Sequence, residues 1–201
     1  MKQAATTYRS DMQRKRGIWF VLGLCSAISC SQYTPKPRGY FRIEPPAPVY
    51  EALRYDSLPY AFQVSSLARV EFPPAGSPGR GINLSYPELE ATIYCSYLPV
   101  SPSTLGMAID ESRALISRQA KNARRISEQA YEHPEAKVYA SLYELDGSPA
   151  PLQFTLTDSL GHFFRGVLLY ERVVNADSLA PVTQYLKADI LELIQSFSWK
   201  N

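Results

Sequence analysis

The sequence predicts an α+β domain, a mostly antiparallel sheet with two long helices packed on it. Three observations carry this. Short apolar/polar alternations lie on both sides of a long stretch whose apolar residues recur at steps of three or four. A second stretch of that kind closes the chain. The later strands are joined by Asp-Gly and Leu-Gly turns, too short for a parallel crossover. The 201 residues are 45% hydrophobic and 20% charged, which is globular composition and excludes wholesale disorder.

Residues 61–64 and 68–72 alternate with period two and read as the first strands. Residues 72–81, FPPAGSPGRG, read as a loop. Residues 81–99 give a strand interrupted near Pro87 and resumed at 91–98, the resumed part apolar enough to be central. Helix one is expected over 103–131. Leu105, Ile109, Ser112, Ile116, Ala120, Ala123, Ile126 and Ala130 form its stripe, Ser101 or Ser103 its cap, and Pro134 its stop. Arg113, Arg118, Lys121, Arg124 and Arg125 sit on its outer surface. Such a run fits an anionic-lipid or acidic-partner patch, but is ordinarily a solvated helix face.

Three strands follow at 136–145, 151–157 and 163–171, an antiparallel meander turning at Asp146-Gly147-Ser148-Pro149 and Ser159-Leu160-Gly161. Helix two starts after Asn175-Ala176-Asp177-Ser178. Asp177 or Ser178 is its expected N-cap, with Pro181 in the first turn, where a missing N–H costs little. Leu179, Val182, Leu186, Ile190, Leu193, Ile194 and Phe197 form its stripe, and Phe197 and Trp199 are expected to pack its end onto the sheet.

The N-terminus reads as an export signal. Arg14-Lys15-Arg16 precedes IWFVLGLCSAI (18–28), an 11-residue apolar run too short to span a bilayer as a stable helix. It ends at Ala27-Ile28-Ser29-Cys30, which resembles the lipobox of bacterial lipoproteins, although Ala27 stands where Leu is more usual. Cys25 is the rival, but Leu24 before it is not small. Cys30 is therefore the expected lipid-attachment residue, and the domains read as a signal (1–29), a Pro-rich extended tether (30–59) and one α+β body (60–201). A signal of that length takes five bases and one acid with it, so the formal +2 becomes −2 over the 172 residues from Cys30. The basic pI thus supports no nucleic-acid partner. The tether carries Tyr33, Arg38, Tyr40, Phe41 and Arg42 among its prolines. A plain spacer would be Ser/Gly-rich, so these five are expected partner or domain contacts.

Little in the chain suggests chemistry. His133 and His162 stand apart and in no metal-ligand spacing, both expected exposed, His133 at a helix end. Asp158, Ser159 and His162 assemble a triad only on paper, because residues of one hairpin turn rarely take triad geometry and no G-x-S-x-G elbow exists. Glu88 and Glu90 read as two side chains on one strand face. Cys95 lies in an apolar strand and reads as core, not nucleophile. No Walker A or G-x-G-x-x-G loop is present, and no cofactor, metal or catalytic residue is called for.

Two stretches are more specific. CSQYTPKPRGYFRI (30–43) is the first. The second is FFRGV (163–167) with NADSLAPV (175–182) and SFSWK (196–200). Together they resemble the gliding-motility lipoprotein family GldD of Bacteroidota, over essentially the whole chain from Cys30. The element order also resembles the Mog1/PsbP-type α-β-α sandwich. The family resemblance implies a lipid-anchored cell-envelope protein needed for gliding and tied to type IX secretion, with only Cys30 given a role, that of the acylated residue carrying palmitate. Ser31-Gln32-Tyr33 lack the acidic run that marks surface export, which favours a periplasm-facing position. The leading expectation is a non-enzymatic assembly or stabilising component whose partners are the membrane and other motility or secretion-complex lipoproteins. The alternatives are a periplasmic small-ligand or lipid-binding carrier, with Tyr86, Tyr94, Tyr97, Tyr139, Tyr143 and Tyr170 lining a pocket, and an envelope enzyme built around His162 or Cys95.

Overall fold

The structure is a computed structural model that describes residues 47–74, 81–172 and 176–200. In chain order its strands are β1 (Tyr50–Ala52), β2 (Tyr60–Ala61), β3 (Gln63–Ser65), β4 (Arg69–Glu71), β5 (Ile82–Tyr86), β6 (Ala91–Pro99), β7 (Arg125–His133), β8 (Val138–Asp146), β9 (Leu152–Thr157), β10 (His162–Tyr170) and β11 (Ser198–Trp199). The helices are α1 (Leu105–Gln119) and α2 (Ala176–Gln195). Seven strands make one antiparallel sheet in the order β4-β5-β6-β10-β9-β8-β7, the α+β architecture expected. The resumed strand β6 is interior, and β8, β9 and β10 form the expected meander.

Strand alternation sorts the residues onto two faces. Leu142, Leu152, Phe154, Leu156, Phe164 and Leu168 share one core with Val182, Leu186, Ile190, Leu193 and Ile194 of α2. Tyr143 and Leu145 point the other way and pack against Ile116 of α1. The helices therefore cover opposite faces. Tyr60, Phe62, Phe164 and Phe197 fill one end of the main core, with the rings of Tyr60 and Phe164 4.8 Å apart. There the C-terminal tail closes the fold. Trp199 pairs with Tyr60 across β11 and β2, and Lys200 N–H donates to the carbonyl of Pro59 at 2.9 Å.

Helix one is shorter than the 103–131 expected. It ends at Gln119, passes through a 3-10 turn at Ala120–Asn122, and becomes extended at Ala123. The backbone N–H of Arg124 donates to the carbonyl of Asp146 at 2.7 Å, and the next nine residues pair one for one with β8. The three-and-four spacing of Ala123, Ile126 and Ala130 is compatible with a helix, but Ile126 and Ala130 also fall on one face of a strand, and a nine-pair ladder outweighs local propensity. Pro134 opens the β7–β8 turn instead of stopping a helix, and His133 ends a strand. Neither Ser101 nor Ser103 is the N-cap. Thr104 holds that position without a side-chain cap bond, and the Ser101 carbonyl accepts from the N–H of Leu105.

Helix two begins at Ala176, before either expected cap, so Pro181 is its sixth residue and lies inside the helix. Glu88 and Glu90 do not share a strand face. Glu88 sits in a 3-10 turn and Glu90 adopts φ 48° beyond it, its carboxylate 3.4 Å from Arg172. The folded body also reaches back before residue 60. Tyr50–Ala52 pairs with β3, and Leu53 and Leu58 are buried in the main core.

Candidate functional site

Cys95, His162 and Asp158 are tied into the fold, whereas His133 is exposed at the end of β7. Cys95 is buried in β6, and burial pushes its thiol far above the usual range. His162 is packed, not exposed. Its Nδ1 is 2.8 Å from the hydroxyl of Tyr97 and its ring stacks on Trp199 at 4.9 Å. Asp158 Oδ1 accepts the backbone N–H groups of Leu160, Gly161 and His162 at 2.8–2.9 Å. Burial raises its pKa, but those three donors overcome that and hold the carboxyl below its ordinary value. Ser159 sits in the same turn at φ 66°. The turn uses its polar groups to build itself, so the three residues form no triad. Among the described residues no three metal-ligating side chains converge.

A buried polar knot went unread in the sequence. Asp189 interrupts the apolar stripe of α2 one position before Ile190 and is 4% exposed. Its Oδ1 accepts from the Tyr50 hydroxyl at 2.9 Å, across 139 residues of chain. The hydroxyls of Tyr86 and Ser65 approach the same carboxyl, yet Oδ2 itself has no partner of hydrogen-bond geometry. Burial raises the pKa of Asp189 more than these hydroxyls lower it. The effect of the knot is to pin β1 onto α2.

The sign of the pH dependence follows. With its folded pKa above the unfolded value of 3.8, Asp189 binds its proton more tightly in the folded state. It therefore subtracts stability as pH rises from about 3.8 through the raised folded value, and the loss then levels off. Asp189→Asn keeps an acceptor for Tyr50 but cannot ionise. We expect urea denaturation to show it more stable than the wild type at pH 7, with the difference shrinking towards pH 4. A difference independent of pH would show that ionisation is not what distinguishes the two.

Among the described residues four clefts flank β7. On the α1 side, one of about 210 Å³ lies among Ile109, Ile116, Tyr139, Tyr143 and Phe163 and reaches Ala130 and Glu132. An adjoining groove of about 410 Å³ is bounded by Arg113, Lys121, Ile126 and Glu128. On the α2 side, about 370 Å³ is bounded by Arg125, Ser127, Glu144, Tyr170 and Thr183. A further cleft of about 240 Å³ lies among Tyr131, His133, Val138 and Ile194. Of the tyrosines considered as pocket walls, Tyr139, Tyr143 and Tyr170 do line these clefts. Tyr86 faces Asp189, Tyr97 holds His162, and Tyr94 is exposed. Arg113, Arg118, Lys121, Arg124 and Arg125 are all exposed, but Arg124 and Arg125 lie beyond the end of α1, Arg125 as the first residue of β7.

The family model for the gliding motility lipoprotein GldD matches residues 30–199. The chain belongs to the GldD family. Its coarse function follows, a membrane-anchored envelope lipoprotein with a role in gliding motility. Among the described residues no helix is long and apolar enough to cross a membrane. The match begins at Cys30, which lies outside the described residues together with Tyr33, Arg38, Tyr40, Phe41 and Arg42. No curated protein matches the chain. Among solved structures the chain is similar to the solution structure of cyanobacterial PsbP (CyanoP) from Synechocystis sp. PCC 6803. The two are 12% identical, with 82% of this chain and 99% of that one covered at a TM-score of 0.45.

Proposed function

We propose that this GldD-family protein is a non-enzymatic assembly component, lipid-anchored through Cys30, facing the periplasm, and holding other envelope lipoproteins of a motility machinery coupled to type IX secretion. The observation that carries the reading is the gathering of open clefts along both faces of one exposed strand, on a body whose conspicuous reactive side chains are engaged in packing and turns. Surfaces of that form suit a protein partner better than a small substrate, which calls for an enclosed pocket with converging polar groups.

Affinity capture of the full-length protein from detergent-solubilised membranes tests it. Sibling motility or secretion components are expected in amounts comparable to the bait, and recovery of none would sink the proposal. The second reading, a lipid or small-ligand carrier, rests on the cleft of Ile109, Ile116, Tyr143 and Phe163. It predicts a co-purifying ligand in native mass spectrometry of the same preparation.

A further inference from the structure

We infer that the free edge of β7 receives an extended strand from a partner protein, enlarging the seven-stranded sheet. This rests on the assembly reading and names its surface. The two edges of the sheet differ. At one end β4 has three residues, two of them charged and exposed, a short and guarded edge. At the other, β7 runs nine residues and pairs with β8 along its whole inner side, while among the described residues nothing pairs with its outer side. It carries no proline. Exposed edges are ordinarily shortened, kinked or covered, because a row of unpaired N–H and C=O groups recruits another strand. Ile126 on this edge is 57% exposed.

Side chains of an added strand alternate between faces, and in strand addition the backbone gives affinity while pockets for alternate side chains give specificity. Ile126, Glu128, Ala130 and Glu132 border the α1-side clefts, while Arg125 and Ser127 border the α2-side cleft. On the α1 side, apolar residues of the incoming strand would face Ile126 and Ala130, and basic ones Glu128 and Glu132.

A second copy of β7 is a poor occupant. Two-fold antiparallel pairing keeps each face with itself, so both copies place Glu128 and Glu132 on one face. Centred on Glu128, that residue meets its own copy. Centred on Ala130, Glu128 meets Glu132. Centred on Gln129, the four carboxylates become diagonal neighbours. Like charges so placed destabilise a sheet.

The test uses the lipidated chain in detergent and a fluorescent nine-residue peptide alternating Thr with, in turn, Val and Lys. Hydrogen exchange of residues 125–133 is expected to slow when the peptide binds. The same peptide with alternate amides N-methylated keeps its side chains but loses backbone donors, and should bind at least tenfold more weakly. Replacing both its Lys by Glu should weaken binding to the wild type and strengthen binding to the double variant Glu128→Lys/Glu132→Lys. Equal binding by the methylated peptide, protection elsewhere in the chain, or slow exchange at β7 caused by self-association without peptide would each overturn the inference. A failed membrane capture leaves this test standing. Conversely, partners captured from membranes alongside an inert edge would remove the edge and keep the assembly reading.

Discussion

Gly166→Ala is expected to cost roughly 3 kcal/mol, a large part of the total stability of a domain this size. Gly166 lies in β10, the middle strand of the sheet, opposite Phe154 of β9. A Cβ on Gly166 would stand 2.2 Å from Cζ of Phe154 and 2.4 Å from Cε1. A side-chain tip is cheap to displace only when it can swing away, and Phe154 is 1% exposed with its ring centroid 6.2 Å from that of Phe164. Glycine in a central strand is thus explained by the close approach of a neighbouring ring. Chemical denaturation of the single variants and of Gly166→Ala/Phe154→Leu measures the coupling. If the clash is the cause, the double variant is more stable than additivity predicts by 1 kcal/mol or more. Strictly additive effects would place the cause in the backbone.

Most of the architecture was legible because it is encoded locally. The meander from β8 to β10 is announced by Asp146-Gly147 and Leu160-Gly161, and the stripe of α2 by six apolar residues on one face. The overrun of helix one shows where local encoding stops. Ala123, Ile126 and Ala130 continue the helical spacing of Leu105, Ile109 and Ile116, and only the pairing of Arg125–His133 with a strand further along the chain decides against it. That error hid the sheet edge, because a segment read as helix surface offers no backbone to a partner.

The site was legible to the degree that it is local too. The lipobox-like run expected to carry the anchor is contiguous in the sequence, whereas the Tyr50–Asp189 bond joins residues 139 positions apart. Its one trace in the sequence is an acid within the apolar stripe of α2, between Leu186 and Ile190. A carboxylate in that position must find donors or raise its pKa, and it does both. Which donors it finds is a property of the fold alone.

Cys30→Ala is expected to abolish incorporation of a palmitate analogue and to release the protein from carbonate-washed membranes. Removing the thiol removes the group directly after Ala27–Ser29 that is expected to carry a thioether-linked lipid. Each buried methylene contributes about 0.8 kcal/mol, and a single acyl chain holds a protein only marginally, so stable attachment requires a second chain or a basic patch. From residue 30 onward the chain is net −2, which gives little electrostatic help towards anionic headgroups. The residual signal offers no substitute, since 11 apolar residues rise about 16 Å as a helix against a hydrocarbon core of about 30 Å. Cys25→Ala is the matched control and should leave both labelling and fractionation unchanged. If Cys30→Ala still sediments with membranes and still takes the label while Cys25→Ala does not, the anchor is Cys25. If both variants fractionate as the wild type does without label, attachment is not through a lipidated cysteine at all.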